Sequence, residues 1–325
     1  MSGHRSPRDA TGRPRLLFVH AHPDDETLTT GITMASYVAR GHDVHLLTCT
    51  LGEEGEIIPP TLAHLGSGRG DALGAWRREE LRAAMSVLGV EHSVLGEDPG
   101  RGVASRYRDS GMAGAASAEH PNAFARANVV EAAAMVATHI RALRPNVVVT
   151  YDEHGGYTHP DHIQTHLVTM SALSALATEE EARGDGDGLV MPAVYCILTP
   201  QSWATQDRAW LHDNVVRNDD AASIGSSCVV LPKDAPYPPS VVSDEIVTHI
   251  VEEPALVDIQ SRALAQHGTQ VSVYDGYYAL SNHIAVRLCG REGFARFDPV
   301  RRALLPSGRD VPRHTGLLSD SQGRG

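Results

Sequence analysis

Apolar residues along the first two hundred positions fall into short runs, each followed by a longer stretch where they recur every three to four residues. The runs at 16–19 (Leu-Leu-Phe-Val), 44–49, 93–95, 147–151 and 194–198 read as strands. The stretches at 27–40, 77–88, 128–143 and 163–183 read as helices. Gly41 and Gly89 suit the left-handed residue that closes a helix, and Arg144-Pro145 stops the third one. Strand and helix alternating in this way predict an α/β fold, a Rossmann-like, doubly wound and mostly parallel sheet. Beyond residue 200 the pattern changes. Residues 202–243 are irregular and Pro-rich, 245–251 alternate like a strand, and 254–266 read as a helix with Pro254 in its first turn. We therefore expect a Rossmann-like domain over 15–200 and a smaller mixed α+β part over 201–310 that completes the pocket. The polar ends, 1–14 and 311–325, are expected to form a disordered leader and tail.

Charge and composition narrow the function. At 325 residues the chain can bury a substantial core. A net charge of −12 argues against a nucleic-acid partner, which calls for a basic face. No apolar run approaches the ~20 residues that span a bilayer, so no membrane partner is expected. The polar N-terminus has no apolar core of a secretory signal. Cys49, Cys196, Cys228 and Cys289 are scattered, as in a reduced cytoplasmic protein. The 18 histidines outnumber the nine tyrosines and four phenylalanines together, which directs attention to metal and acid–base chemistry.

Two predicted strands end in such chemistry. The first runs into His20-Ala21-His22-Pro23-Asp24-Asp25-Glu26, and the fourth leads to Tyr157-Thr158-His159-Pro160-Asp161-His162. Parallel strands bring both segments to the carboxyl edge of one sheet, where open α/β folds gather their ligands. Two imidazoles and one carboxylate suit zinc with a position left open, and ferrous iron takes the same donors. An acid and a histidine then remain for proton transfer, the inventory of a metal-assisted hydrolase. Taken alone, Asp24-Asp25-Glu26 could be acids favoured by a helix dipole. His22 and the second histidine-rich strand end argue against that.

The His-Pro-Asp-Asp-Glu motif with a later His-Pro-Asp-His resembles the LmbE/PIG-L superfamily of zinc-dependent N-acetylglucosaminyl deacetylases. Thr48-Cys49-Thr50-Leu51-Gly52-Glu53-Glu54-Gly55-Glu56, Arg106-Tyr107-Arg108-Asp109-Ser110-Gly111-Met112-Ala113-Gly114 and Val148-Val149-Thr150-Tyr151-Asp152 with Gly155-Gly156-Tyr157 resemble one branch of it. That branch deacetylates N-acetylglucosaminyl-inositol in actinobacterial mycothiol biosynthesis. The resemblance is strong over residues 15–175 and looser over 263–282. It implies zinc held by His22, Asp25 and His162, with Asp24 as the base that deprotonates the attacking water. It also implies His159 as the acid at the oxyanion or amine, Asp161 fixing the His159 ring, and Tyr157 polarising the amide carbonyl. Glu56, Arg77 and Asp109 fall where that branch holds sugar and inositol hydroxyls. Adjacent Asp24 and Asp25 cannot point the same way, which agrees with this division of roles. Thr27 stands where the resembling enzymes commonly have Ser.

The nearest alternative is a sibling amidase that cleaves mycothiol S-conjugates with the same metal machinery. A dinucleotide-binding protein would need a Gly-rich turn after the first strand. Ala21-His22-Pro23 stands there instead, and Gly66-Ser67-Gly68-Arg69-Gly70 lies in a loop. A catalytically dead sugar-binding module would not need the complete set of acids and histidines. Plainer readings compete at single residues: His20 as a packing residue, His154 and His166 outside the site, Arg77 in a solvated helix start, Asp109 paired with Arg106 or Arg108. A homo-oligomer is compatible with the sequence.

Overall fold

Both faces of the first strand must be covered, because Leu16, Leu17, Phe18 and Val19 leave no polar side to meet water. In the computed structural model, which describes residues 12–183, 188–218, 228–305 and 313–318, they are. β1 (Arg15–His20), β2 (Asp43–Thr48), β3 (Glu91–Val94), β4 (Val147–Tyr151) and β5 (Ala193–Ile197) lie parallel in the order β3-β2-β1-β4-β5. The helices are α1 (Asp25–Ala39), α2 (Leu73–Leu88), α3 (Val129–Leu143), a short α4 (Gly155–Thr158), α5 (Pro160–Arg183), α6 (Gln201–Asn218) and α7 (Val257–Leu264). Leu17 and Val19 pack with α3 and α5, and Leu16 and Phe18 with α1 and α2. Burial on both faces is why such strands read as continuous apolar runs. The expected α/β, mostly parallel sheet is the one observed.

The C-terminal third departs from expectation in three places. Residues 201–218, read as part of an irregular stretch, form α6. Its apolar face is a thin stripe, Trp203, Leu211 and Val215, among polar residues, and Leu211 and Val215 cover Ala285 of a separate small sheet. So sparse a stripe gives little helical periodicity. The strand Arg291–Asp298 was not anticipated either, since Arg291, Glu292, Arg296 and Asp298 interrupt its apolar pattern. It pairs antiparallel with β5 and with His249–Glu252, so the sheet begun by residues 15–200 continues without a break into the later part. Finally, His314–Thr315 pairs with His249–Glu252, and Leu317 is 1% exposed in the α1-side core. This stretch of the expected tail is therefore folded; residues 1–11, 311–312 and 319–325 of the expected leader and tail lie outside the described residues. Among the described residues no helix is long and apolar enough to cross a membrane.

Glu292 ties the late strand to the first helix. Its Oε1 accepts from the Ile32 N–H at 2.9 Å, and its Oε2 from the Thr33 N–H at 2.8 Å and the Thr33 hydroxyl at 2.5 Å. Burial pushes this carboxyl up to about 7, while the Thr33 and Ile32 donors pull it back. Replacing Glu292 with Ala deletes three buried hydrogen bonds that join the late strand to α1, each worth ~0.5–1.5 kcal/mol. Glu292→Ala should lower the urea unfolding midpoint accordingly; an unchanged midpoint with an unchanged slope would show that the link carries no stability.

Candidate active site

The chain leaves β1 for β2 and β3 on one side of the sheet and returns to β4 on the other. The crevice beyond the carboxyl ends of β1 and β4 is therefore the switch point of the topology. Thr150 locks the two ends together by donating to the Val19 carbonyl at 2.9 Å. His22 follows β1, Asp25 opens α1, and His162 lies in the first turn of α5. His22 Nδ1, Asp25 Oδ2 and His162 Nε2 form a triangle with sides of 3.2, 3.2 and 3.3 Å. Donor atoms bound tetrahedrally at ~2.0–2.1 Å stand about 3.3 Å apart, so the triangle has the dimensions of one face of a metal site.

The surroundings set the proton positions. The His162 Nδ1–H donates to the Gly155 carbonyl at 3.2 Å, leaving the Nε2 lone pair facing the triangle. Gly155 allows this approach: with φ at 61°, an added Cβ would stand 2.7 Å from the His162 Cβ. The Tyr151 ring stacks on His162 at 4.3 Å, and its hydroxyl accepts from the Ala21 N–H at 3.0 Å. Beside His22 Nε2 lie Asp161 Oδ2 at 3.2 Å and Asp109 Oδ1 at 3.3 Å. A carboxylate behind a ligating imidazole fixes its tautomer and raises its basicity. Burial pulls the His22 ring down, but Asp109, Asp161 and Asp25 outweigh it and raise it well above its usual value. Burial would likewise raise Asp25, yet His162 and His22 hold it well below the usual carboxylate range. Three carboxylates around one imidazole form a pocket suited to a cation.

Asp24 is not a corner of this triangle. It is the residue before α1, with φ at 116°, a region that favours glycine. Its carbonyl starts the helix by accepting from the Thr27 and Leu28 N–H groups, and its carboxylate meets Arg77 Nη2 at 3.1 Å. Burial pushes the Asp24 carboxyl up to about 6, with Arg77 pulling the other way. His159 also stands within reach of the His22 and His162 nitrogens. Its Nδ1 accepts from the Asp161 N–H at 3.2 Å, so the neutral ring carries its proton on Nε2. Burial, with His22 and His162 adding to it, lowers this ring to about 3.

The family model described as PIG-L, GlcNAc-PI de-N-acetylase, matches residues 17–173. A 1D-myo-inositol 2-acetamido-2-deoxy-alpha-D-glucopyranoside deacetylase of Thermomonospora curvata is 42% identical over 306 residues, 93% of this chain and 97% of the relative. The chain belongs to the PIG-L family. A protein of the same name from Streptomyces scabiei is 44% identical over 280 residues, covering 86% of this PIG-L chain and 83% of the relative. The fold is shared with the N,N'-diacetylchitobiose deacetylase of Pyrococcus horikoshii, at a TM-score of 0.52, 17% identity, and coverage of 88% and 85%. As a PIG-L member, the chain is an enzyme that hydrolyses an amide.

The PIG-L site as folded gives several of the predicted residues partners that the sequence did not name. Asp161 was expected to hold His159. Its carboxylate instead accepts from the Ser110 N–H and hydroxyl at 2.8 and 2.5 Å and lies beside His22; only its backbone N–H meets His159. Asp109 was expected at substrate hydroxyls. Both its oxygens are engaged, Oδ1 with His22 and the Gly111 N–H and Oδ2 with the Glu54 N–H, and Arg106 and Arg108 are not its partners. Arg77, 3% exposed, directs its guanidinium to Asp24 and to the Pro23 and Gly52 carbonyls. Glu56 is exposed on its loop, and Tyr157 is 48% exposed with its ring against His159 and His162. The plainer readings fit the remaining histidines. His20 is buried between the Tyr151 and Thr30 hydroxyls, and His166 Nδ1 donates to the Tyr151 carbonyl. Sequence reasoning missed Ser110, Tyr151 and Gly155, although all three lie inside the blocks that carry the resemblance.

Removing the guanidinium should leave Asp24 buried without its counter-charge and raise its pKa further. Arg77→Gln should therefore move the acidic limb of the kcat/KM profile to higher pH. A limb at the wild-type position would show that Arg77 does not set the Asp24 pKa.

Proposed function

We propose that this chain hydrolyses the acetamide of N-acetylglucosaminyl-inositol to acetate and glucosaminyl-inositol, with a metal ion held by His22, Asp25 and His162. The substrate rests on the names of relatives that align with most of the chain. The metal rests on the donor triangle of 3.2 to 3.3 Å, whose two imidazoles and one carboxylate suit zinc and also ferrous iron. A bound ion of this kind acidifies water and polarises a carbonyl.

The chain's own residues do the rest. Asp24 takes the proton of the attacking water as oxygen adds to the amide carbon, and returns it to the nitrogen as the C–N bond breaks. A carboxylate buried beside Arg77 is both ionised near neutral pH and basic enough for this work. His159, neutral with its proton on Nε2, donates to the developing oxyanion, and the Tyr157 hydroxyl supplies a second donor from the rim. Such a donor is worth ~3 kcal/mol in the transition state. Glu56 reaches the sugar or inositol hydroxyls from its exposed loop. Asp161 and Asp109 act behind His22, and Arg77 acts on Asp24. A cytoplasmic location and a small sugar–inositol partner belong to the same reading.

Acetate release from N-acetylglucosaminyl-inositol by the metal-loaded enzyme is the direct test. Turnover of a mycothiol S-conjugate alone would overturn the choice of substrate. His162→Ala should lose metal and activity together, whereas full metal content would remove it from the ligand set. Asp24→Asn should keep its metal but lose about 10²–10⁴ in kcat, the range expected for a general base.

A further inference from the structure

Glu26 ends the histidine–acid motif and takes no part in the chemistry above, yet it is fully buried in direct contact with the base's own peptide. Its Oε2 accepts from the Asp24 N–H at 3.0 Å. Its Oε1 accepts from the Thr27 hydroxyl at 2.6 Å and lies 3.0 Å from His267 Nε2, so that ring nitrogen carries the proton. His267 comes from the segment after α7, 241 residues along the chain, and both side chains are 0% exposed. Three donors converge on one buried carboxylate, which fixes both of its oxygens. Among the described residues the His267 Nδ1 is buried without a hydrogen-bond partner, so the only side-chain hydrogen bond of this ring there is to Glu26. Two residues farther on, the Thr269 N–H and hydroxyl clasp the Glu80 carboxylate of α2 at 2.9 and 2.7 Å, and the Thr269 carbonyl accepts from Ile58. The segment is thus pinned on both sides of the site.

The peptide that Glu26 grips is the strained one. Asp24 stands at φ 116°, a strained conformation that a non-glycine residue keeps only where its surroundings over-determine it. Arg77 holds this residue from the other side, through the Pro23 carbonyl and the Asp24 carboxylate. We propose that Glu26 and His267 are positioning residues for the reaction: Glu26 anchors the Asp24 N–H, His267 orients Glu26, and together they aim the Asp24 carboxylate at the attacking water. The inference rests on Asp24 being the base.

Four variants of the full-length, metal-loaded enzyme test it: Asp24→Asn, Glu26→Ala, Glu26→Gln and His267→Ala, each read for kcat, KM and bound metal. A misplacement of up to an ångström costs up to ~10²-fold, so Glu26→Ala and His267→Ala should lose about 10- to 100-fold in kcat with KM and metal content near wild type. Glu26→Gln should recover to within about threefold, because its amide oxygen still accepts from Asp24 while its NH₂ faces His267, whose free Nδ1 lets the ring switch tautomer. A merely structural role would not give this split or this rescue. If Glu26→Ala fails to fold, His267→Ala carries the kcat test. Inactive Asp24→Asn beside fully active Glu26→Ala and His267→Ala overturns the inference alone. So does a loss of metal in step with activity in both alanine variants. Wild-type activity in Asp24→Asn overturns the base assignment, and this inference with it.

Discussion

The site depends on one unfavourable peptide. Between β1 and α1 the chain must turn so that two adjacent aspartates serve opposite sides. The positive φ of Asp24 achieves this. With that rotation, Asp25 falls into the triangle with His22 and His162, and Asp24 swings to Arg77. Strain at such a point persists only when neighbours specify it from several directions. Here they are the Glu26 carboxylate on the N–H, the start of α1 on the carbonyl, and Arg77 on the carboxylate.

Burying this much charge is possible because it is paired. His22 has carboxylates on both nitrogens, Arg77 has Asp24 and two carbonyls, Glu26 has three donors, and Glu80 has Thr269. An unpaired charge at any of these depths would be costly. The pairing also explains the architecture. The donors come from the ends of β1 and β4, from α2 and α5, and from segments after β3 and α7, so the site is assembled from segments far apart in the chain. The late strand Arg291–Asp298 contributes through Glu292, which grips α1 about two turns beyond the acids.

How much of this could be read from the chain alone follows from the range of each interaction. The parallel half-sheet was legible because burial on both faces writes itself as short apolar runs, and a helix face as a period of three to four. The cluster His22, Asp24, Asp25, His159 and His162 was legible because the α/β topology sends neighbouring strand ends to one edge. The helix Gln201–Asn218 and the strand Arg291–Asp298 were not, since their apolar faces are narrow or interrupted by charges that find partners elsewhere.

The partners themselves were beyond reach. Asp161 serves His22 across 139 residues and Ser110 across 51, Arg77 reaches Pro23 across 54, and His267 reaches Glu26 across 241. Residue type announces that such groups need partners, and local spacing cannot say which. The clustering of these acids and histidines was therefore present in a few short motifs, while the contacts of Arg77, Asp109, Asp161 and Glu26 came from packing. A hydrogen bond is settled by a few tenths of an ångström in three dimensions, and the linear order of residues carries no such measure.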